Sequence, residues 1–234
     1  MLMLNVNALQ GQLLSLEREA RAIQSELDRA RHRDQFELHT CWAVEASDLL
    51  DALRRYKPTI VHFSGHTIHP MAAAPPDGVV RRDVESLVRG NLPEGLCFQR
   101  ADGGIEVVSP GALKDAIRAV GPSVQLVVLN ACHTEPHARA LRSEIDCVIG
   151  TRGAIRDDAA IHFATGLYGG IFGGFSNALA FAQGRAEIQM RRLTDRFRLL
   201  ARPGVDPGAI ILANPRSCAA RPHRPHRRWP RAKK

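Results

Sequence analysis

An α/β domain with a mostly parallel sheet and helices on both faces is what this sequence predicts. Strand-length apolar runs alternate with helical patterns along the chain, the order that parallel crossover connections produce. Val124–Leu129 is nearly continuously apolar, as expected of a strand buried on both sides. A length of 234 residues, 44% hydrophobic and 24% charged, suits one α/β domain with a full core.

Each element has its own signal. Leu2–Val6 is a short apolar run and the first strand. From about Ala8 to Arg31, Leu13, Leu14, Leu16, Ala20, Ile23 and Leu27 recur at helical spacing with charges between them. Phe36–Ala43 alternates like an edge strand. Ser47–Tyr56 reads as a helix stopped near Pro58, and Thr59–Phe63 as a buried strand. Ile68–Glu94 opens with Pro70, Pro75, Pro76, Asp77 and Gly78 and begins as a loop. Leu96–Phe98 and Ile105–Val108 flank Asp102-Gly103-Gly104, a hairpin signature. A helix starts at Ser109 or Pro110 and ends by Gly121-Pro122; strand Val124–Leu129 follows. Thr134–Ser143 is helical, Cys147–Ile149 a strand, and Asp157–Phe172 and Ser176–Leu200 carry helical patterns. Ala209–Leu212 reads as a last strand.

The totals exclude several classes. No apolar run is long enough to span a bilayer, and the N-terminus lacks the pattern of a secretory signal. Five cysteines at irregular spacing fit reduced thiols in a cytoplasm better than a disulfide framework. His133 and His137 stand four apart after Cys132, but no second cluster completes a metal site. Gly166–Gly174 lacks a phosphate-loop pattern and follows no strand, so its small residues are read as helix packing. The net charge of +8 resides in the last 19 residues, which hold six Arg, two Lys and no acid; the rest balances at 24 basic and 24 acidic. A general nucleic-acid-binding surface on the folded part is therefore not expected.

Reactive groups in open α/β sheets gather beyond the carboxyl ends of the strands. Thr59–Phe63 runs into Ser64-Gly65-His66, and Val124–Leu129 into Asn130-Ala131-Cys132. If the two strands are parallel neighbours, thiol and imidazole emerge at one edge and can form a nucleophile–base pair. Thr134 is a candidate N-cap of the helix after Cys132, and the helix dipole favours a thiolate nearby. Spacing alone leaves open the plainer reading, a core cysteine and a satisfied histidine. His62 lies deeper in its strand and is read as packing or support; His133, adjacent to Cys132, seldom has the geometry of a base.

Pro58-Thr-Ile-Val-His-Phe-Ser-Gly-His66 and Leu126-Val-Val-Leu-Asn-Ala-Cys132 resemble the two catalytic motifs of the CHAT-domain family of caspase-like cysteine peptidases. Trp42-Ala-Val with Asp48-Leu-Leu, Val148-Ile-Gly150 and Asp158-Ala-Ala-Ile-His-Phe163 also match, in a consistent order from Leu2 to Pro215. The resemblance implies a caspase-like three-layer sandwich, a His66–Cys132 dyad, an oxyanion hole from the backbone N–H groups of Thr67 and Cys132, and no cofactor. Thr67 stands where the family usually has glycine, and a β-branched residue resists the positive φ that glycine permits. Asp157, in Ala154-Ile-Arg-Asp157, resembles the aspartate that accepts a substrate arginine in separase-like peptidases; Asp157 or Asp158 as a plain helix cap is the alternative.

The expectation is therefore a cysteine endopeptidase cleaving protein substrates after Arg or Lys, an effector in bacterial defence or cell death. The rival is a weak or inactive caspase-fold interaction module. Nucleotide binding on a flavodoxin-like sheet is a distant third, without a phosphate loop. Residues 1–215 form the peptidase domain, with 68–94 as an insertion able to act as lid or self-cleaved loop, Arg81 and Arg82 being the first places to look. Control is expected from a separate sensor or regulatory protein. Residues 216–234 are too polar to fold; weak contact with nucleic acid or an anionic surface is their functional reading, an inert extension the other.

Overall fold

The computed structural model describes residues 1–8, 14–69 and 94–213. The tail 216–234 and nearly all of the insertion 68–94, Arg81 and Arg82 included, lie outside them. In chain order the strands are β1 Leu2–Asn5, β2 His39–Trp42, β3 Ile60–Ser64, β4 Thr67–Ile68, β5 Gly95–Gln99, β6 Ile105–Val108, β7 Leu126–Asn130, β8 Cys147–Thr151 and β9 Phe197–Ala201. The helices are α1 Leu16–Arg29, α2 Ala46–Tyr56, α3 Pro110–Ala119, α4 Glu135–Leu141, α5 Asp157–Phe172 and α6 Asn177–Met190.

Six strands form the main sheet in the order β2-β1-β3-β7-β8-β9, parallel throughout except for the β8–β9 pair. Strand alternation divides its side chains between two helical layers. Leu4, Phe63 and Leu129 pack with Leu53 of α2, Ile117 of α3 and Leu141 of α4. Met3, Ile60 and Val128 pack with Ile23 of α1, Leu167 of α5 and Ile188 of α6. The expected three-layer arrangement with helices on both faces is present. The hairpin about Gly103 (φ +82°) is also present, as β5–β6 in a second sheet β4-β5-β6.

Three expectations are corrected. The first helix begins at Leu16, not near Ala8. Asn7 holds Leu14 by both backbone groups, Nδ2 to its carbonyl at 3.2 Å and Oδ1 from its N–H at 3.1 Å. That clamp diverts groups a continuing helix would use. The last helical pattern does not run to Leu200: α6 stops at Met190, Arg192 turns left-handed at φ 57°, and Phe197–Ala201 pairs with β8. Phe197 there stacks on Phe163 with ring centroids 3.7 Å apart, a contact the strand delivers and a helix would not. Finally, Ala209–Leu212 is not a strand; only Ile211 forms an isolated bridge, to Ser176.

Candidate active site

Parallel register brings the two reactive segments together. Ile60–Ser64 of β3 pairs residue for residue with Leu126–Asn130 of β7, ending with Ser64 opposite Asn130. His66 and Cys132 each follow that last pair by two residues and are half-buried. Gly65 leaves no room for a side chain: a Cβ there would lie 2.9 Å from both the Phe63 ring and the Val6 carbonyl oxygen. The His66 carbonyl accepts the Cys97 N–H at 2.9 Å, tying the turn to β5.

The Cys132 sulfur lies against the loop between β8 and α5. The Ile155 N–H points at Sγ from 3.4 Å, and the thiol faces the Ile155 carbonyl at 3.7 Å. Thr67 Oγ1 donates to the Cys132 carbonyl at 2.5 Å, joining the chain after β3 to the chain after β7. Non-glycine residues with positive φ are, among the described residues, Ala43, Lys57, His133 and Arg192. Thr67 is therefore accommodated without left-handed strain, as part of β4. The strain sits instead at His133 (φ 52°), whose N–H donates to the Gly153 carbonyl at 3.0 Å. Its ring stacks on His69 at 4.7 Å, and His69 pairs with Glu94 at 3.2 Å. Burial, then the His69 charge, holds the His133 pKa below its ordinary value.

Thr134 is at the N-cap position of α4, but its hydroxyl makes no cap. It donates to the Leu129 carbonyl at 3.1 Å and accepts the Thr151 N–H at 2.9 Å, pinning the turn to β7 and β8 instead.

Beneath the site lies a polar cluster on the α1–α5 face. His62, fully buried, has Nδ1 2.9 Å from the Tyr168 hydroxyl and Nε2 2.9 Å from Glu19 Oε1. Asn130 Nδ2 donates to Glu19 Oε1 and to the Ala160 carbonyl, the latter at 3.2 Å; Ser64 Oγ donates to Glu19 Oε2. Burial, and the Glu19 charge after it, raises the Tyr168 pKa well above the ordinary phenol range. His62, read from the sequence as packing or support, is thus buried deep in its strand with both ring nitrogens engaged. Glu19, Tyr168, Ser64 and Asn130 carry no local sequence signal: Glu19 reads as one of several helix charges, and its partners are 43 to 111 residues away.

Asp157 opens α5, two residues beyond Ile155. Both of its carboxylate oxygens lie 3.2 Å from the Ser15 N–H. Asp158 is engaged differently: it holds Arg156 through two contacts of 3.0 and 2.8 Å and accepts the Ala159 N–H at 2.8 Å. Cys97 and Cys147 are fully buried, and burial pushes the Cys97 thiol up to about 12 and raises that of Cys147. No group of three His, Cys, Asp or Glu residues able to hold a metal occurs among the described residues. There, too, no helix is long and apolar enough to cross a membrane.

Comparison with known proteins shows which family the chain is similar to. A probable protease of Gillisia limnaea is 23% identical over 188 residues, covering 80% of this chain and 29% of that protein. A Roc-COR-CHAT protease of an unknown prokaryotic organism is 25% identical over 156 residues, 64% of this chain and 12% of that protein. The chain thus spans under a third of the length of these curated relatives. The X-ray structure of iotapain, a secreted C11 cysteine protease from Bacteroides thetaiotaomicron, aligns at 13% identity and a TM-score of 0.37. That alignment covers 67% of this chain and 53% of that one. The family model for the CHAT domain matches residues 4–229, almost the whole sequence. The chain belongs to the CHAT-domain family of caspase-like cysteine peptidases.

Proposed function

We propose that the chain is a cysteine endopeptidase with Cys132 as nucleophile and His66 as general acid–base. The observation that carries this reading is the β3–β7 register, with Ser64 opposite Asn130 and one reactive side chain two residues beyond each. His66 accepts the thiol proton, and the sulfur attacks the scissile carbonyl carbon. The backbone N–H groups of Thr67 and Cys132 receive the developing oxyanion. His66 then protonates the leaving amine as the C–N bond breaks, giving a thioester. Water, deprotonated by His66, attacks that thioester, releasing the carboxylic acid and restoring the thiol.

Cleavage follows Arg or Lys, with Asp157 receiving the cation. Asp157 lies two residues past Ile155, which contacts Sγ, and among the described residues its one long-range N–H donor, that of Ser15, leaves carboxylate lone pairs for a guanidinium. The substrate is a protein, the compartment cytoplasmic, and control comes from a separate sensor or regulatory protein in a defence or cell-death system. The basic segment 216–234 adds at most weak contact with anionic partners.

Peptides varied only at the residue before the scissile bond test both parts. Cys132→Ala and His66→Ala lower kcat/KM by about a thousandfold or more while circular dichroism is unchanged; Cys147→Ala stays active. Full activity of Cys132→Ala refutes the dyad. A wild-type preference for Asp over Arg, or undiminished Arg selectivity in Asp157→Ala, refutes the pocket.

A further inference from the structure

The chemistry assigned to Cys132 and His66 makes no use of the buried carboxylate beneath them. Glu19 is 2% exposed, and its carboxylate is met by His62, Ser64 and Asn130. Taking a carboxylate out of water is costly, and a packed apolar replacement of a buried polar cluster is often neutral or stabilising. Core stability alone therefore gives little reason for Glu19 at this place.

Its connections give a reason. One oxygen accepts from Ser64 on β3; the other accepts from Asn130 on β7 and faces His62 Nε2 at 2.9 Å. Ser64 and Asn130 are the last paired residues of the two strands. Each lies two residues before a reactive side chain. A single carboxylate thus grips the β3 and β7 ends at the level from which His66 and Cys132 depart. Its own orientation is fixed in turn: His62 is held from behind by the Tyr168 hydroxyl at 2.9 Å, and Asn130 by the Ala160 carbonyl at 3.2 Å. Buried networks of this kind are rigid when connected, and charge-assisted hydrogen bonds are the strong ones.

We propose that Glu19 is a positioning residue for the dyad: through Ser64 and Asn130 it sets the placement of His66 relative to Cys132. The inference rests on the dyad reading above. It assigns Glu19 no contact with substrate and no proton transfer. Misplacement of reacting groups by a fraction of an ångström to an ångström is felt in the chemical step rather than in ground-state binding.

The test uses the full chain and two readouts. Turnover of an Arg-containing fluorogenic peptide gives kcat and KM. The rate of iodoacetamide alkylation of Cys132, followed by mass spectrometry from pH 5 to 9, reports the reactivity of that thiol directly. Glu19→Gln keeps the size but replaces one accepting oxygen with an NH2 donor, so it cannot accept from both Ser64 and Asn130; kcat and the neutral-pH alkylation rate fall by about tenfold, with KM within about twofold of wild type. Ser64→Ala cuts only the β3 link and gives about a threefold fall. The double variant is no worse than Glu19→Gln, because both changes act through one carboxylate. Should Glu19→Gln not fold, Ser64→Ala carries the same comparison. Wild-type kcat and alkylation in the folded variants overturn the proposal, as does a loss confined to KM or to Arg selectivity. Failure of the dyad reading looks different: Cys132→Ala then still turns over peptide, whatever the alkylation rates of the Glu19 variants.

Discussion

On the face covered by α2, α3 and α4 the central strands present Leu4, Val61, Phe63, Val127 and Leu129. On the α1–α5 face the same strands present Met3, Ile60, Leu126 and Val128, then His62, Ser64 and Asn130 toward their carboxyl ends. Each face also buries a histidine. His62 has both ring nitrogens engaged. His137, on α4, has among the described residues one weak contact of 3.4 Å to the Val108 carbonyl and no hydrogen-bond partner for Nδ1. The lesson is one of division of labour: one face supplies cohesion, and the other uses polarity where the strand ends have to be held.

The largest expected effect tests cohesion. Leu53 is fully buried on α2. Leu53→Ala removes apolar contact and leaves a cavity, costing about 2–5 kcal/mol in denaturant unfolding. Turnover per folded molecule stays at the wild-type value. A variant that stays stable but loses kcat would break the comparison, since it would place dyad control on the apolar face as well.

A middle-sized effect concerns pH. Burial holds the His137 pKa down at about 4, from an ordinary 6.5. The unfolded chain takes up this proton near pH 6.5, and the folded chain resists it until about pH 4. Stability is therefore complete above pH 6.5 and falls as acid is added, through that window, by about 2 kcal/mol at pH 5. His133 and His162, also lowered by burial, add in the same direction. His137→Leu should narrow the gap between unfolding midpoints at pH 7 and pH 5. An unchanged gap would mean that acid sensitivity comes from elsewhere.

Most of this architecture was legible from local pattern, and the exceptions have physical causes. Asp157–Phe172 is helical as its composition implies, and the Gly103 hairpin forms because its turn residues leave little choice. The β9 strand was hidden because Leu193, Phe197 and Leu200 satisfy helical spacing; pairing with β8 overrides it. The segments that carry His66 and Cys132 were legible because strand, turn and the His or Cys are contiguous in each. The Glu19 cluster was not, since its members come from α1, β3, β7 and α5 and meet only in the fold. The same holds for Thr67: the sequence shows a departure from glycine, and only the structure shows the partner of its hydroxyl.

That hydroxyl provides the smallest and most specific test. Glu19 joins the β3 and β7 ends from within the core, whereas Thr67 Oγ1 joins the segments after them at the Cys132 carbonyl, 2.5 Å away. The peptide it holds is followed by His133 in a left-handed conformation at φ 52°, a state costing a non-glycine residue about 1 kcal/mol or more. Thr67→Val keeps shape and β-branching but removes the donor; about 1 kcal/mol of stability should be lost. If that carbonyl's orientation also governs the Cys132 backbone, kcat falls by up to about fivefold. Thr67→Ser retains the hydroxyl and should behave as wild type. Thr67→Gly restores the residue usual in the family and gains backbone freedom, yet loses the clamp, so it should resemble Val rather than Ser. If Gly instead equals wild type in stability and kcat, the hydroxyl contact is incidental, and the strand ends are held from within the core alone.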